Sequence, residues 1–279
     1  MPARYRVVDV FAREPLAGNA LAVFPDPGSI DPDRMQRIAR EMNLSETTFV
    51  TGVRPDGYDV RIFTPTEEMP FAGHPTLGTA WVLRELGAVA GERVIQRSPA
   101  GETPVEFDGD RVRFERTGSV SDDIPDVSEI VDALGVPPDR LGFDASELGA
   151  ASIRLLPAIA DPAVPLLMFP IGSPAVLAAL VAPQTLGIHS GVYCFAPLDR
   201  GKIKARFFGS GFGVVEDPAT GMAAAALGLY LGARAGTLRV EIEQGAEIGR
   251  PSFIAVDASP GRSRVSGAVH LVAEATLLA

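Results

Sequence analysis

Two short segments, Gly73-His74-Pro75 and Glu216-Asp217-Pro218, place a polar side chain directly before a proline that can open a helix. A helix start presents N–H groups with no partner inside the helix and the positive end of the backbone dipole, which together suit a carboxylate-bearing ligand. The sequence therefore predicts a small-molecule site shared by two such starts. For Asp217 the plain alternative is capping, since Asp ahead of a first-turn proline is a common helix opening. Histidine caps poorly, and Gly73 beside it allows close backbone approach to a ligand, so His74 points more strongly to binding. Glu46 is the third candidate. Standing alone in a turn it reads as a solvated surface residue, and only its setting in Asn43-Leu44-Ser45-Glu46-Thr47-Thr48-Phe49-Val50 singles it out.

Other chemistries lack their residues. Cys194 is the one cysteine and lies inside Gly191-Val192-Tyr193-Cys194-Phe195, which excludes disulfides and two-thiol catalysis and reads as a buried structural thiol. Lys202 and Lys204, the only lysines, alternate along a strand-like run and leave few candidates for a Schiff base. His74, His189 and His270 show no Cys/His ligand spacing, so no metal site is expected, and the latter two read as ordinary loop or strand histidines. A net charge of −10 without a basic cluster argues against nucleic acid as a partner. No stretch reaches the roughly 18 to 20 apolar residues of a membrane span, and residues 1–10 lack a signal-peptide layout, so no membrane association is expected and the reading is cytoplasmic. Gly209-Ser210-Gly211-Phe212-Gly213 follows a strand but leads into Val214-Val215-Glu216-Asp217 before any helix, the wrong context for a dinucleotide loop. It reads as a flexible loop over the site.

The elements that must position these residues are sheet-rich. Strands are expected at residues 5–11, 21–24, 47–51 and 58–64, with a helix opened by Asp31-Pro32 whose apolar face is Met35, Ile38, Ala39 and Met42. A second helix starts at Pro75, carries Leu77, Ala80, Trp81 and Leu83, and stops at Gly87. Strands at 93–96, 104–107 and 111–115 follow, then a polar linker over 117–125. Beyond it come a helix around 127–134 and strands at 152–156, 191–195 and 202–208.

The second half repeats the first. Arg61-Ile62-Phe63 corresponds to Arg206-Phe207-Phe208, and Pro75, Gly78 and Ala80 match Pro218, Gly221 and Ala223 at the same internal spacing. No charged residue occurs from Pro218 through Ala233, so that helix must be enclosed by protein. The expected fold class is α+β, with two pseudo-repeated lobes, each a β-sheet or half-barrel wrapped around a central apolar helix. The lobes are placed at 1–120 and 121–279, with the extreme C-terminus able to pack back on the N-terminal lobe.

These segments together resemble the PhzF-like family of phenazine biosynthesis. The resemblance is carried by Val8-Asp9-Val10-Phe11 with Pro15, Gly18 and Asn19, by Asn43-Leu44-Ser45-Glu46-Thr47, by Arg61-Ile62-Phe63-Thr64-Pro65, and by Phe71-Ala72-Gly73-His74-Pro75-Thr76-Leu77-Gly78. It continues in Glu216-Asp217-Pro218-Ala219-Thr220-Gly221, Gln244-Gly245 and Gly249-Arg250-Pro251-Ser252. It implies the diaminopimelate-epimerase-like fold, a homodimer and no cofactor. It also implies a cofactor-independent isomerase in which Glu46 is the general acid/base that moves a proton between carbons of a small cyclic acid. His74 and Asp217 would hold the substrate's polar groups, with Ser45 beside Glu46 and backbone at Gly73 and Gly221 completing the binding set. For Glu46 to serve near neutral pH, burial should raise its pKa.

One position departs from the family pattern: Met222 follows Gly221 where serine is usual, and its counterpart by spacing in the first half is Thr79. The side chain counts as part of the substrate pocket, which it would make more apolar. The rival reading is a catalytically decayed relative that binds a metabolite or a protein partner through the same cleft.

Overall fold

The computed structural model describes residues 2–26, 28, 30–124, 126–183, 191–209 and 214–278, with the side chain of Val214 left aside. His189 and residues 210–213 of the glycine-rich run therefore lie outside the described residues. Chain contacts divide the molecule into two units, Met1–Glu115 with Ser266–Ala279, and Arg116–Val265.

The first unit carries strands β1 (Ala3–Val10), β2 (Asn19–Phe24), β3 (Glu46–Arg54), β4 (Gly57–Phe63), β5 (Glu68–Met69), β6 (Arg93–Ser98), β7 (Gly101–Asp108) and β8 (Arg111–Thr117). Helix α1 (Pro32–Met42) follows β2 and helix α2 (Gly73–Glu85) follows β5. Asp31 caps α1 by accepting from the N–H of Asp33, and the helix buries Met35, Ile38 and Ala39 against Phe24, Phe49 and Phe63. Nearly all of the first half of α2 is buried, and the helix lies on β1, β2, β3, β6 and β7, so the sheet wraps a central helix.

The second unit carries β9 (Ser119–Ser121), α3 (Ser128–Leu134), β10 (Phe143–Asp144), β11 (Arg154–Leu155), β12 (Ala158–Asp161), β13 (Leu166–Pro170), α4 (Pro174–Ala179), β14 (Val192–Asp199), β15 (Lys202–Gly209) and β16 (Val214–Asp217). Then come α5 (Gly221–Ala235), β17 (Leu238–Gln244), β18 (Ser252–Ser259) and β19 (Arg262–Leu277), the last of which begins in the second unit and continues into the first. There it pairs antiparallel with β1, from Ala3 opposite Leu277 to Val10 opposite Val269. Helix α5 is buried from Ala223 to Gly232 and contacts β9, β12, β13, β17 and β18, the enclosure that its lack of charge requires.

Pairing order repeats between the units. The sequence antiparallel, parallel, antiparallel, short antiparallel, parallel, antiparallel runs through β1 to β7 and again through β12 to β18. Side chains follow it. Arg61 on β4 forks onto Glu68 of β5 at 2.8 and 2.7 Å and lies 5.0 Å from the Phe63 ring. Arg206 on β15 forks onto Glu216 of β16 at 2.8 and 2.7 Å and lies 4.9 Å from the Phe208 ring. The matched Arg-x-Phe triplets thus mark one structural device used twice.

Three expectations are corrected. The twin prolines do not open their helices equivalently: α2 begins two residues before Pro75, with Ala72 as its cap, and α5 begins after Pro218, with Thr220 as its cap. His74 and Asp217 are therefore not caps; His74 is the second helical residue, and Asp217 ends a strand. Proline tolerates any of the first helical positions because their N–H groups have no acceptor within the helix, so its place alone does not fix the start. The polar linker over 117–125 contains β9, which pairs antiparallel with β12. Finally, counted from the helix start, the residue matching Met222 in α2 is His74, while Thr79 turns to β3 and shares a 2.9 Å hydrogen bond with Thr48.

Candidate active site

In the first unit the chemistry gathers where β2, β3 and α2 begin. Asn43 ends α1 in the left-handed conformation at φ 50°, and Leu44-Ser45 then deliver Glu46 as the first residue of β3, opposite Leu21 of the parallel β2. His74 is brought alongside because α2 packs tightly on β1 and β2 at Gly78, where a Cβ would come within 2.6 Å of Leu21 and 2.9 Å of Val10. Asn19, the first residue of β2 and almost wholly buried, places its amide nitrogen 3.3 Å from His74 Nδ1.

That contact assigns the imidazole. An amide N–H can only donate, so Nδ1 accepts and the ring proton sits on Nε2. Burial pushes the His74 pKa down to about 3, which keeps the ring neutral. Nε2 lies 3.4 Å from Glu46 Oε2 and makes no hydrogen bond of good geometry. With a neutral ring this is no ion pair but a carboxyl group beside an N–H donor. The backbone adds to it: the first bond inside α2 is from Thr76 N–H to Ala72 O at 3.3 Å, so the N–H groups of Gly73 and His74 have no helical acceptor.

In the second unit, Asp217 is buried at the end of β16 and its Oδ2 accepts a 2.5 Å hydrogen bond from the Thr220 hydroxyl. Gln244, at the end of β17, donates to the Asp217 carbonyl at 2.8 Å and to Thr220 Oγ1 at 3.1 Å, which folds the chain into a turn and delays the helix until Gly221. Met222 is half-buried beside it. Cys194 is buried on β14 with its thiol pushed up by desolvation, consistent with an inert structural role.

The structure thus brings Glu46, His74, Gly73 and Ser45 together in one unit, and Asp217, Gly221 and Met222 together in the other. Sequence reasoning missed Asn19 and Gln244 as parts of these clusters, although both stand in segments that carry the family resemblance. Nothing local signals their partners, which lie 55 and 27 residues away. Among the described residues no His/Cys/Asp/Glu group is arranged to hold a metal ion, and no helix is long and apolar enough to cross a membrane.

Solved structures that follow the same chain path define the class. A PhzF-family phenazine biosynthesis protein of Bacillus anthracis matches with a TM-score of 0.85, covering 100% of both chains at 22% identity. A hydroxyproline epimerase of Agrobacterium vitis matches at 0.54, covering 99% of this chain and 92% of that one at 13% identity. These likenesses carry the fold, which is the diaminopimelate-epimerase-like α+β fold. Similarity of sequence reaches further: the family model of phenazine biosynthesis-like proteins, PhzC-PhzF, matches residues 8–135 and 170–278. The trans-2,3-dihydro-3-hydroxyanthranilate isomerase of Pseudomonas fluorescens is 38% identical over 268 residues, covering 90% of this chain and 88% of that protein. The chain belongs to the PhzC-PhzF family of phenazine biosynthesis-like proteins, and it is an isomerase.

Proposed function

We propose that this isomerase moves a proton between carbons of a small, carboxylate-bearing cyclic metabolite without a cofactor, with Glu46 as the general acid/base. The observation that carries the reading is the Glu46 carboxylate 3.4 Å from the N–H nitrogen of a buried, neutral His74. A carboxylate takes a proton from one substrate carbon and the resulting carboxyl delivers a proton to another, so atoms and electrons balance without an oxidant or a second substrate. A neutral imidazole N–H lowers the barrier differently: it donates to the oxygen on which charge builds as the carbon proton leaves, without itself being acidic enough to quench the base. Ser45, Gly73 and Gly221 contribute polar contacts, Asp217 holds a further polar group, and Met222 supplies an apolar wall. The proposed setting is a cytoplasmic homodimer, which sedimentation of the purified protein tests.

The relatives named as trans-2,3-dihydro-3-hydroxyanthranilate isomerases make that compound the first substrate to try. Proton NMR of the purified protein with it, and with a panel of cyclic amino and hydroxy acids, should show conversion of at least one to an isomer of equal mass. Tight binding by calorimetry across the panel with no conversion would replace this reading with the rival one, a metabolite-binding relative.

A further inference from the structure

Each central helix begins beside a tyrosine–glutamine–threonine relay of hydrogen bonds, the glutamines on matching strands β6 and β17 but the tyrosines on non-matching strands, Tyr58 on β4 and Tyr193 on β14. In the first unit the Tyr58 hydroxyl donates to Gln96 Oε1 at 3.0 Å, Gln96 Nε2 donates to Thr76 Oγ1 at 2.8 Å, and the Thr76 hydroxyl donates to the Ala72 carbonyl at 2.8 Å. In the second the Tyr193 hydroxyl donates to Gln244 Oε1 at 2.9 Å, Gln244 Nε2 donates to Thr220 Oγ1 at 3.1 Å, and the Thr220 hydroxyl donates to Asp217 Oδ2 at 2.5 Å. Both tyrosines are 0% exposed and the glutamines 0% and 1%, so the tyrosine–glutamine pair of each relay is enclosed and its members must satisfy one another, whereas Thr220 is half-buried.

Its direction is forced. A side-chain amide accepts at one end and donates at the other, and the Asp217 carbonyl, 2.8 Å from Gln244 Nε2, can only accept. Gln244 therefore turns its N–H end toward the turn and its oxygen toward Tyr193. Thr220, already receiving an N–H, directs its own proton to the carboxylate. The two relays differ in where they end. The first terminates on the backbone carbonyl that opens α2, which accounts for it as a helix anchor. The second also holds the backbone of the turn, through Gln244 Nε2 on the Asp217 carbonyl and the Thr220 N–H on Gln244 Oε1, and its threonine goes on to the side chain of Asp217 rather than to a carbonyl.

We infer that Gln244, oriented by Tyr193, is a positioning residue that acts through Thr220 to hold Asp217 as an ionised hydrogen-bond acceptor. The substrate group recognised there is accordingly a hydrogen-bond donor, an amino, ammonium or hydroxyl group, and not a second carboxylate. This rests on the reading of Asp217 as a substrate-binding residue.

The test pairs two ligands that differ by one donor, 2-aminobenzoate and benzoate, and uses Thr220→Val, its conservative control Thr220→Ser, and Tyr193→Phe at the far end of the relay. By calorimetry the parent should bind the amino compound about ten-fold more tightly. Folded Thr220→Val should lose that preference, Thr220→Ser should restore it, and Tyr193→Phe should weaken it in the same direction. In parallel, NMR of carbon-13-labelled aspartate should show the Asp217 carboxylate titrating at higher pH in Thr220→Val than in the parent, because a hydrogen bond to the charged form has been removed. An unchanged titration in Thr220→Val, or a parent that does not favour the amino compound, overturns the inference. The titration needs no turnover, so a shifted midpoint in a protein that converts nothing counts against the isomerase reading alone.

Discussion

His74 is a buried imidazole whose charge state is set by the fold. The unfolded imidazole titrates near its ordinary 6.5, whereas burial lowers the folded value to about 3. Between those values the unfolded chain binds a proton that the folded chain refuses, so this residue's contribution is intact above pH 6.5 and is lost as pH falls toward 3. Urea unfolding at about pH 7.5, above that window, and at about pH 4.5, inside it, should show the parent losing more stability on acidification than His74→Gln. Nitrogen-15 NMR should find the ring neutral, with the proton on Nε2, throughout the range from pH 8 to about 5. Asn19 fixes that tautomer, so Asn19→Leu should lower kcat on the order of 10²-fold while the fold persists, measured by steady-state kinetics and circular dichroism. His74, Glu46 and Asp217 were legible because neighbouring Gly, Pro and Ser-Glu-Thr residues set them apart from surface positions. Asn19 and Gln244 were not, because their work consists of a partner far along the chain that only the folded sheet supplies.

At the scale of elements, two helices sit closer to their sheets than most side chains permit. At Gly78 the obstructing atoms are methyl groups of Leu21, Val10 and Val8, so Gly78→Ala should cost about 1 to 3 kcal/mol. At Gly232 a Cβ would lie 2.2 Å from the Ser259 carbonyl oxygen, a backbone atom that cannot swing aside, and Gly232→Ala should cost more. Thermal denaturation of the two variants ranks them. The matched arginine forks give a second comparison. The side chains of Arg206 and Glu216 are 5% and 6% exposed, whereas those of Arg61 and Glu68 are both 31% exposed. Glu216→Gln should therefore cost ~3–5 kcal/mol by stranding a buried guanidinium, and Glu68→Gln about 1 kcal/mol or less, although the distances are nearly identical. Helix α1 and strands β1 to β4 were legible from their periods and caps. The helix starts at α2 and α5 were misplaced by the same cue, proline, because tolerance of proline is shared by several positions of a first turn. Strands β12 and β13 were passed over: Pro157, Pro162 and Pro165 punctuate short apolar runs in which periodicity has no room to show.

For the molecule as a whole, the repeat sensed in Arg61-Ile62-Phe63 and Arg206-Phe207-Phe208 extends to the order and sense of strand pairing, to the enclosed helix and to the arginine–glutamate fork. The frame is duplicated but its helix starts are not: Glu46 and His74 stand together in one unit, Asp217 and Met222 in the other. The proposed proton transfer gives the carrier role to Glu46. Solvent exchange tests this most directly. In D2O, with a compound the protein converts, proton NMR should find deuterium entering the product carbon, because the protonated carboxyl trades its proton with solvent before delivering it, and Glu46→Gln should abolish both conversion and uptake while still binding the compound. Conversion and deuterium uptake that persist in Glu46→Gln at the parent's rate would contradict the assignment of Glu46 as the proton carrier.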